Sequence, residues 1–311
     1  MDRVTFHIQQ GYNLKIEIVL VFLRGLMSKL AIVTDSTVCF SDDIIQGLPI
    51  FTIPLHVIWG DEMYKDSIDI HQSEFYRRLP LSKVLPSTSQ PSPQEFMELY
   101  KSLGQQYDEI LSIHISSKLS GTVDSAIQAK HSLPLQKIEV VDSLSTSMGL
   151  GFLVLLAARQ AQKELGITEC KQKVESAIEK LQVFFVLRTL EFLKRGGRIG
   201  GASALLGTAL NLKPVLMLKD GKIEPFAKVR TMKKALIRLA EIFADKSQGY
   251  KSIHLAIIQA SAEEDAQFLV DEIIKSVKSE KIVELFTTGI SPVIGTHAGP
   301  GAVGICFLPE E

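Results

Sequence analysis

The sequence predicts an α/β protein of two domains, with a mostly parallel sheet and helices on both faces in the first and a mixed α/β arrangement in the second. Its 311 residues suit two domains, because a single hydrophobic core stops growing at about 250–300 residues. With 46% apolar and 22% charged residues, the chain can bury a large core. Short apolar runs that end in polar residues recur along it, a pattern typical of buried parallel strands. Two packed domains leave a cleft between them.

The first domain is expected over residues 29–165, after an N-terminal extension at residues 1–28. Asp35 follows the first apolar run and is predicted to cap the next helix, and Ser92 is predicted to cap a helix that begins at Pro93. The run 149–158 predicts a helix buried between the sheet and the domain interface, since a membrane span would need about 20 residues. The predicted strands cover 30–34, 50–59, 109–115 and 138–142, with a hairpin-like turn at Gly60 and Asp61.

The second domain is expected over residues 166–311. Thr168 is predicted to cap an amphipathic helix over 169–181. Asp220 and Gly221 form a strong hairpin signal between two strands, which indicates a mixed sheet. The segment 289–304 is predicted to be a glycine-rich loop that bears His297 and leads into a closing strand.

Charge and cysteine usage narrow the possible partners and the compartment. The 34 basic and 35 acidic residues give a net charge of −1, which does not favour a nucleic acid partner. The three cysteines are far apart, which favours buried thiols in the reducing cytoplasm over a disulfide framework. The apolar run 18–23 is too short to span a bilayer, so no stable membrane insertion is expected. A second methionine at Met27 suggests that the native start lies there and that residues 1–26 are a mis-called upstream extension.

The sequence also argues against several common enzyme classes. The G-x-G-x-x-G pattern at 299–304 neither follows a strand with a helix after it nor has an acidic residue about 20 positions on, so we reject a dinucleotide fingerprint. Neither a Walker A motif nor a G-x-S-x-G elbow occurs. The histidines and cysteines lack metal-ligand spacing, and no metal or cofactor is expected.

Three polar segments point instead to a ligand with a carboxylate. Hydroxyl groups crowd the proline-rich stretch 86–93, which includes Thr88, and the turn 116–122, which includes Ser120 and opens a helix. His297 lies among glycines, which supply little surface for core packing. Two hydroxyls and an imidazole can hold a carboxylate by hydrogen bonds. A buried alkyl tail would add about 0.8 kcal/mol per methylene.

A fourth segment supplies positive charge. The segment 190–199 contains three cationic residues, and a short helix in it is expected to stop at Gly196. Arg198 lies beyond that stop, so capping of the helix does not explain it.

These motifs resemble those of the DegV family of fatty-acid-binding proteins over nearly all of residues 29–308. The resemblance rests on Ala-Ile-Val-Thr-Asp-Ser-Thr at 31–37, the Thr-Ser-Gln-Pro-Ser loop at 88–92, Leu-Ser-Gly-Thr at 119–122, Leu-Lys-Arg-Gly-Gly-Arg-Ile at 193–199 and Gly-Thr-His-Ala-Gly-Pro-Gly at 295–301. It implies two α/β domains with a long-chain fatty acid buried between them.

The resemblance also implies site residues and a partner. By position, Thr88, Ser120 and His297 match the residues that hold the carboxylate. Arg198, or less surely Arg195, matches an arginine near the head group, and Ser89, Gly121 and Thr122 belong to the same motifs. Such proteins present the fatty acid to a separate fatty acid kinase, which makes the acyl phosphate. The chain would then be a carrier in fatty acid metabolism or lipid transport, and not a catalyst.

Two other functions remain open from the residues alone. In the first, a hydrolase or acyltransferase, Ser120 or Thr88 is the nucleophile, His297 its base and Asp35 the group that orients the histidine. In the second, the protein binds a small polar anion and the apolar runs serve only as core.

Overall fold

The computed structural model describes residues 29–40, 42–206 and 212–310, and two sheets with helices between and around them make up most of it. The strands are β1 (Leu30–Asp35), β2 (Ile50–Ile53), β3 (His56–Trp59), β4 (Glu62–Lys65), β5 (Ser87–Ser89), β6 (Glu109–His114), β7 (Lys137–Asp142), β8 (Gln182–Val186), β9 (Val215–Lys219), β10 (Lys222–Ala227), β11 (Ile253–Gln259), β12 (Ile282–Gly289) and β13 (Val303–Pro309). The helices are α1 (Asp42–Ile45), α2 (Gln72–Arg78), α3 (Pro93–Leu103), α4 (Thr122–His131), α5 (Ser147–Gln162), α6 (Ile167–Lys180), α7 (Glu191–Arg195), α8 (Met232–Lys246), α9 (Glu263–Ser276) and α10 (Pro292–Ala298). The predicted N-terminal extension at residues 1–28 and the predicted native start at Met27 lie outside the described residues.

The first domain contains a parallel sheet with the strand order β2-β1-β6-β7. Successive side chains of β1 point to opposite faces, as the pleat of a strand requires. Ala31 and Val33 pack against α3 and α4 on one face. Ile32 belongs to the core that α5 and α6 share on the other face. The predicted parallel sheet with helices on both faces is confirmed.

The second sheet is mixed, as predicted, with the order β10-β9-β8-β13-β11-β12. Strands β11 and β12 are parallel, and the other neighbouring strands are antiparallel. Asp220 and Gly221, with φ of 51° and 77°, form the predicted turn between β9 and β10. Helices α8 and α9 cover one face of the sheet, and the other face packs towards the first domain.

Helix α5 lies between the two sheets and contacts β1, β6, β11 and β13. Leu150, Leu153, Val154 and Ala157 are all fully buried on it. This confirms the predicted buried helix, which is longer than the apolar run at 149–158. The chain passes from the first sheet to the second through α5 and α6, and the domain boundary at 165–166 stays a prediction.

Three local predictions differ from the structure. The strand predicted over 50–59 is broken by Pro54 into β2 and β3, which belong to different sheets, because proline cannot donate to a strand ladder. The stretch 86–93 is not loop throughout, since β5 pairs with β3 at the edge of a small antiparallel sheet of the order β4-β3-β5. Gly166, and not Thr168, precedes the first residue of α6, and the Glu169 side chain accepts from its backbone N–H.

Two further features bear on the sequence predictions. Cys39, Cys170 and Cys306 are unpaired and buried, as the spacing of the cysteines predicts. Within residues 29–40, 42–206 and 212–310, no helix combines the length and the apolarity that crossing a bilayer requires.

Ser92 caps α3 as predicted, and its contribution to stability can be measured. Its hydroxyl accepts from the Glu95 N–H while the Glu95 carboxylate accepts from the Ser92 N–H. We expect Ser92→Ala to lower the free energy of unfolding by about 1 kcal/mol in urea titrations. Ser102→Ala, an exposed site in the same helix, is the matched control and should change it by less than about 0.5 kcal/mol. Equal effects of the two substitutions would contradict a stabilising cap.

Candidate functional site

A cavity of about 950 Å³ lies between loops of the first domain and the inward face of the second sheet. This figure counts all of the empty space, including the open mouth of the cavity. Most of the wall is aliphatic or aromatic and includes Val183 and Phe185 of β8 and Val293 of α10. The polar residues of the wall are Thr88, Ser89, Gln90, Ser120, Thr146, Ser147, Arg198 and His297.

One hydrogen bond in this wall joins the two domains directly. Thr88 Oγ1 lies 2.8 Å from His297 Nε2, although 209 residues separate them in the chain. Thr88 is the middle residue of the edge strand β5, and pairing of β5 with β3 holds its backbone. Either group can donate, depending on the tautomer of the imidazole.

His297 is carried by a helix and not by the predicted glycine-rich loop. Helix α10 begins after Ser291, whose hydroxyl accepts from the Ile294 N–H, and it has Pro292 at its first position. It ends at Gly299, whose φ of 72° favours glycine. Gly295 lies in this helix, where a side chain would collide with Phe75 and Tyr76. The glycines therefore allow close packing and a helix end, while the segment between them stays helical.

The first domain holds this helix although the helix belongs to the last part of the chain. Gln72 Nε2 donates to Gly289 O at 3.0 Å, and the Tyr76 hydroxyl donates to Ile290 O at 3.2 Å. The Val293 N–H donates to Asp66 at 3.3 Å, at the start of α10. His297 is thereby positioned by contacts with both domains.

His297 is neutral at neutral pH in this environment. Burial, and then the positive charge of Arg198, lowers the pKa of the imidazole from 6.5 to about 4. Its Nδ1 atom is buried and has no hydrogen-bond partner among the described residues. Gly196 lies against this atom, and any side chain at position 196 would overlap the ring. The imidazole therefore has one nitrogen bonded to Thr88 and one buried nitrogen without a partner among the described residues.

Ser120 lies in a turn whose geometry is fixed by its own backbone. The N–H groups of Leu119 and Ser120 both donate to Ser116 O, and the Ser120 hydroxyl lies 2.8 Å from Thr122 Oγ1. Thr122 is buried and, like Gly121, does not line the cavity. Gly121 precedes α4, where a side chain would press on Gln90. The structure thus brings Ser120 to the wall and leaves Gly121 and Thr122 behind it.

Arg198 lies on the cavity wall and connects the loop after α7 to the first domain. Its Nε donates to Leu119 O at 3.1 Å, and its Nη1 donates to Gly196 O. Arg195 is the last residue of α7, is exposed and pairs with Glu191. Of the two arginines considered from the sequence, Arg198 is the one that the cavity contains.

The role predicted for Asp35 in the hydrolase alternative is wrong. Asp35 accepts from Thr37 N and Ile115 N, so it caps the turn that follows β1. Its second oxygen lies 3.1 Å from His114 Nδ1, and His114 Nε2 lies 2.6 Å from Ser112 Oγ. This Ser-His-Asp chain is fully buried in the first domain, so Asp35 serves His114 and does not orient His297.

Sequence reasoning missed three polar residues of the wall. Gln90 belongs to the proline-rich stretch but was not singled out. Ser147 is the first residue of α5 and Thr146 precedes it, whereas the predicted helix began at residue 149. Two hydroxyl residues before a helix usually indicate a cap, so the sequence carried no sign that they face a cavity.

Among residues 29–40, 42–206 and 212–310, no cluster of His, Cys, Asp or Glu side chains could hold a metal ion.

Comparisons with known proteins agree on one family. The family model described as "Uncharacterised protein, DegV family" matches residues 29–310. A solved structure of a DegV family protein from Thermus thermophilus, described by its fatty acid binding, has a TM-score of 0.86 and 35% identity, and the match covers 91% of this chain and all of that one. DegV from Bacillus subtilis, described as a fatty acid binding protein, has a TM-score of 0.83 and 33% identity, with 91% and 100% of the chains covered. A protein from Eubacterium ventriosum described as binding stearic acid has a TM-score of 0.79 and 25% identity, with 91% and 98% covered.

The lowered pKa of His297 makes stability depend on pH in a defined window. In the unfolded chain the imidazole has its ordinary pKa of 6.5, so it binds a proton at a higher pH than it does in the folded protein. The stability that the neutral imidazole contributes is therefore fully present above pH 6.5 and is lost as the pH falls to about 4. Relative to His297→Gln, the wild type should lose up to about 3 kcal/mol of unfolding free energy across this window. Denaturant titrations at pH 7, 5.5 and 4 measure the difference, and parallel curves for the two proteins would contradict it.

Proposed function

The chain belongs to the DegV family, as the motifs indicated and the family model confirms, and we propose that it binds one long-chain fatty acid between its two domains. The observation that carries the proposal is a largely apolar cavity with one polar cluster in its wall, formed by Thr88, Ser120, Arg198 and His297. The apolar wall suits an alkyl tail, and the cluster suits a carboxylate. Fatty acid binding by the structural relatives supports the same ligand class.

Burial of the tail supplies most of the affinity in this proposal. A dozen methylenes contribute about 10 kcal/mol at 0.8 kcal/mol each, before the loss of motion on binding is subtracted. The aliphatic and aromatic side chains of the wall, such as Val183, Phe185 and Val293, supply the apolar surface that the tail would contact.

We call Thr88, Ser120, Arg198 and His297 the head-group cluster, and it can bind a carboxylate because the described cavity wall contains no acidic side chain that would repel one. The hydroxyls of Thr88 and Ser120 each donate one O–H, and a neutral imidazole donates one N–H. Arg198 provides a full positive charge, and its planar guanidinium suits a carboxylate. Binding requires the hydroxyl of Thr88 to turn from His297 to the ligand, and that of Ser120 to turn from Thr122.

Presentation to a partner kinase is the second part of the proposal. Gln90, next to Ser89 in the wall, is exposed, and Ser120 is only half-buried. The polar end of the cavity therefore lies near solvent, where another protein could reach the carboxylate. Buried, unpaired thiols agree with a cytoplasmic carrier that meets such a kinase.

The structure contains the nucleophile–base contact that the hydrolase alternative requires, but not the acidic group that would orient the base. Thr88 and His297 are within hydrogen-bonding distance, as a nucleophile and its base would be. No acidic group is bonded to Nδ1 of His297 in the described part of the chain. Release of p-nitrophenol from p-nitrophenyl palmitate, lost in Thr88→Val, would favour this alternative over the carrier.

Native mass spectrometry of the protein purified from bacteria tests fatty acid binding. We expect one bound fatty acid per chain. Thr88→Val, Ser120→Ala and His297→Gln should each weaken stearate binding by about 10-fold to 100-fold, since a hydrogen bond to a charged group contributes about 1.5–3 kcal/mol. Ser117→Ala, at an exposed position of the same turn, is the matched control and should leave Kd unchanged. A protein that is empty and takes up neither palmitate nor stearate would refute the proposal.

A reconstituted reaction tests the presentation step. We expect a bacterial fatty acid kinase with ATP to convert protein-bound stearate into stearoyl phosphate, and to do so faster than it converts free stearate. The double variant Thr88→Val with His297→Gln should abolish this advantage because it no longer orients the carboxylate. Binding of stearate without any kinase-dependent product would leave the binding proposal intact and remove the carrier role.

A further inference from the structure

The cavity wall contains a second polar site, formed by two hydroxyl side chains that do not belong to the head-group cluster. Thr146 and Ser147 line the wall at the start of α5, a helix of 16 residues. The hydroxyl oxygens of both are buried and have no hydrogen-bond partner among the described residues. Only 1% of Ser147 is exposed.

Two unsatisfied hydroxyls are costly in a site for a plain hydrocarbon tail. Each buried polar group without a partner loses its hydrogen bonds to water, whereas valine or alanine would contact methylenes without this cost. Thr146 precedes the helix but does not cap it, since its side chain accepts no N–H of the first turn. Ser147 adopts a φ of 51°, unusual for a residue other than glycine. Ordinary helix capping therefore does not explain these two side chains.

The two hydroxyls are separate from the head-group cluster. Thr88 bonds to His297, and Arg198 bonds to Leu119 and Gly196, whereas the hydroxyls of Thr146 and Ser147 make no hydrogen bond to any of these. A ligand that fills the cavity can therefore meet both polar sites with different parts of the same molecule.

The charges on the wall limit what the second polar group can be. Arg198 and His297 are the ionisable residues of the described wall, and both belong to the head-group cluster. A second carboxylate would have to be buried beside two neutral hydroxyls without a cation, which is strongly unfavourable. A neutral group that can both donate and accept a hydrogen bond fits two hydroxyls.

We propose that the preferred ligand is a fatty acid with a hydroxyl group on its acyl chain, and that this hydroxyl binds Thr146 and Ser147. The inference rests on the proposed function, because it assumes a carboxylate at Thr88, Ser120 and His297. It defines the ligand class more narrowly, since the hydroxyl is recognised by hydrogen bonds that an unsubstituted chain cannot make.

Calorimetry on the wild-type protein tests the proposal by comparing Kd values of hydroxylated and unsubstituted acids. Stearate is the parent of 10-hydroxystearate and 12-hydroxystearate, and palmitate is the parent of 16-hydroxypalmitate. We expect at least one hydroxylated acid to bind 10-fold or more tightly than its unsubstituted parent. Parent acids that bind as well as all of the hydroxylated ones would overturn the inference and leave the proposed function standing. Failure of every acid to bind would overturn both.

Variants assign the preference to the two side chains. Thr146→Val keeps the shape of the side chain, and Ser147→Gly removes the hydroxyl while tolerating the positive φ. Together they should strengthen stearate binding, weaken hydroxystearate binding and bring the ratio of the two Kd values close to one. Ser145→Ala is the matched control, because the Ser145 hydroxyl is also buried and unpartnered but does not line the cavity. A ratio that the double variant leaves unchanged, with thermal unfolding showing a folded protein, would refute the role of these residues.

Discussion

Packing of α5 between the two sheets is the contact on which both domains depend. A helix that is apolar on all sides is stable only when every face is covered. Strands β1 and β6 cover one side of α5, and β11 and β13 cover the other. Because α5 begins at Ser147, which lies with Thr146 in the cavity wall, the same packing sets the spacing between the first-domain loops and the second sheet. The cavity is thus a product of how the two sheets share one helix.

The head-group cluster illustrates how several weak constraints position a few polar atoms. Thr88 lies on an edge strand, Ser120 in a turn, Arg198 after a short helix and His297 on another helix, so no single element determines their arrangement. Packing decides the details. Gly196 leaves space for the imidazole, and the resulting burial keeps that ring uncharged beside Arg198. A neutral histidine next to a cation leaves the net charge of the pocket at about +1, which matches one carboxylate.

The sequence located most of the cluster because its members interrupt apolar patterns with hydroxyls, a cation or an imidazole in turns. It also predicted both sheets, since apolar runs and the Asp220–Gly221 turn are local signals. Other features depend on tertiary contacts and could not be read locally. A seven-residue helix such as α10 is too short for periodicity to outweigh its glycines. Pro54 separates β2 and β3, which belong to different sheets. Asp35 pairs with His114, and nothing in the sequence indicated this contact because His114 lies in an ordinary buried strand. Thr146 and Ser147 looked like an ordinary helix start.

The attachment of α10 to the first domain also bears on the order of events during synthesis. His297 and the residues that hold its helix, such as Gln72 and Tyr76, are separated by more than two thirds of the chain. Contacts of such high sequence separation form late and slow folding. A nascent chain can complete its parallel sheet early, yet the wall of the cavity stays open until residues 289–304 have emerged. During that interval the apolar side chains of the cavity wall are exposed and accessible to chaperones.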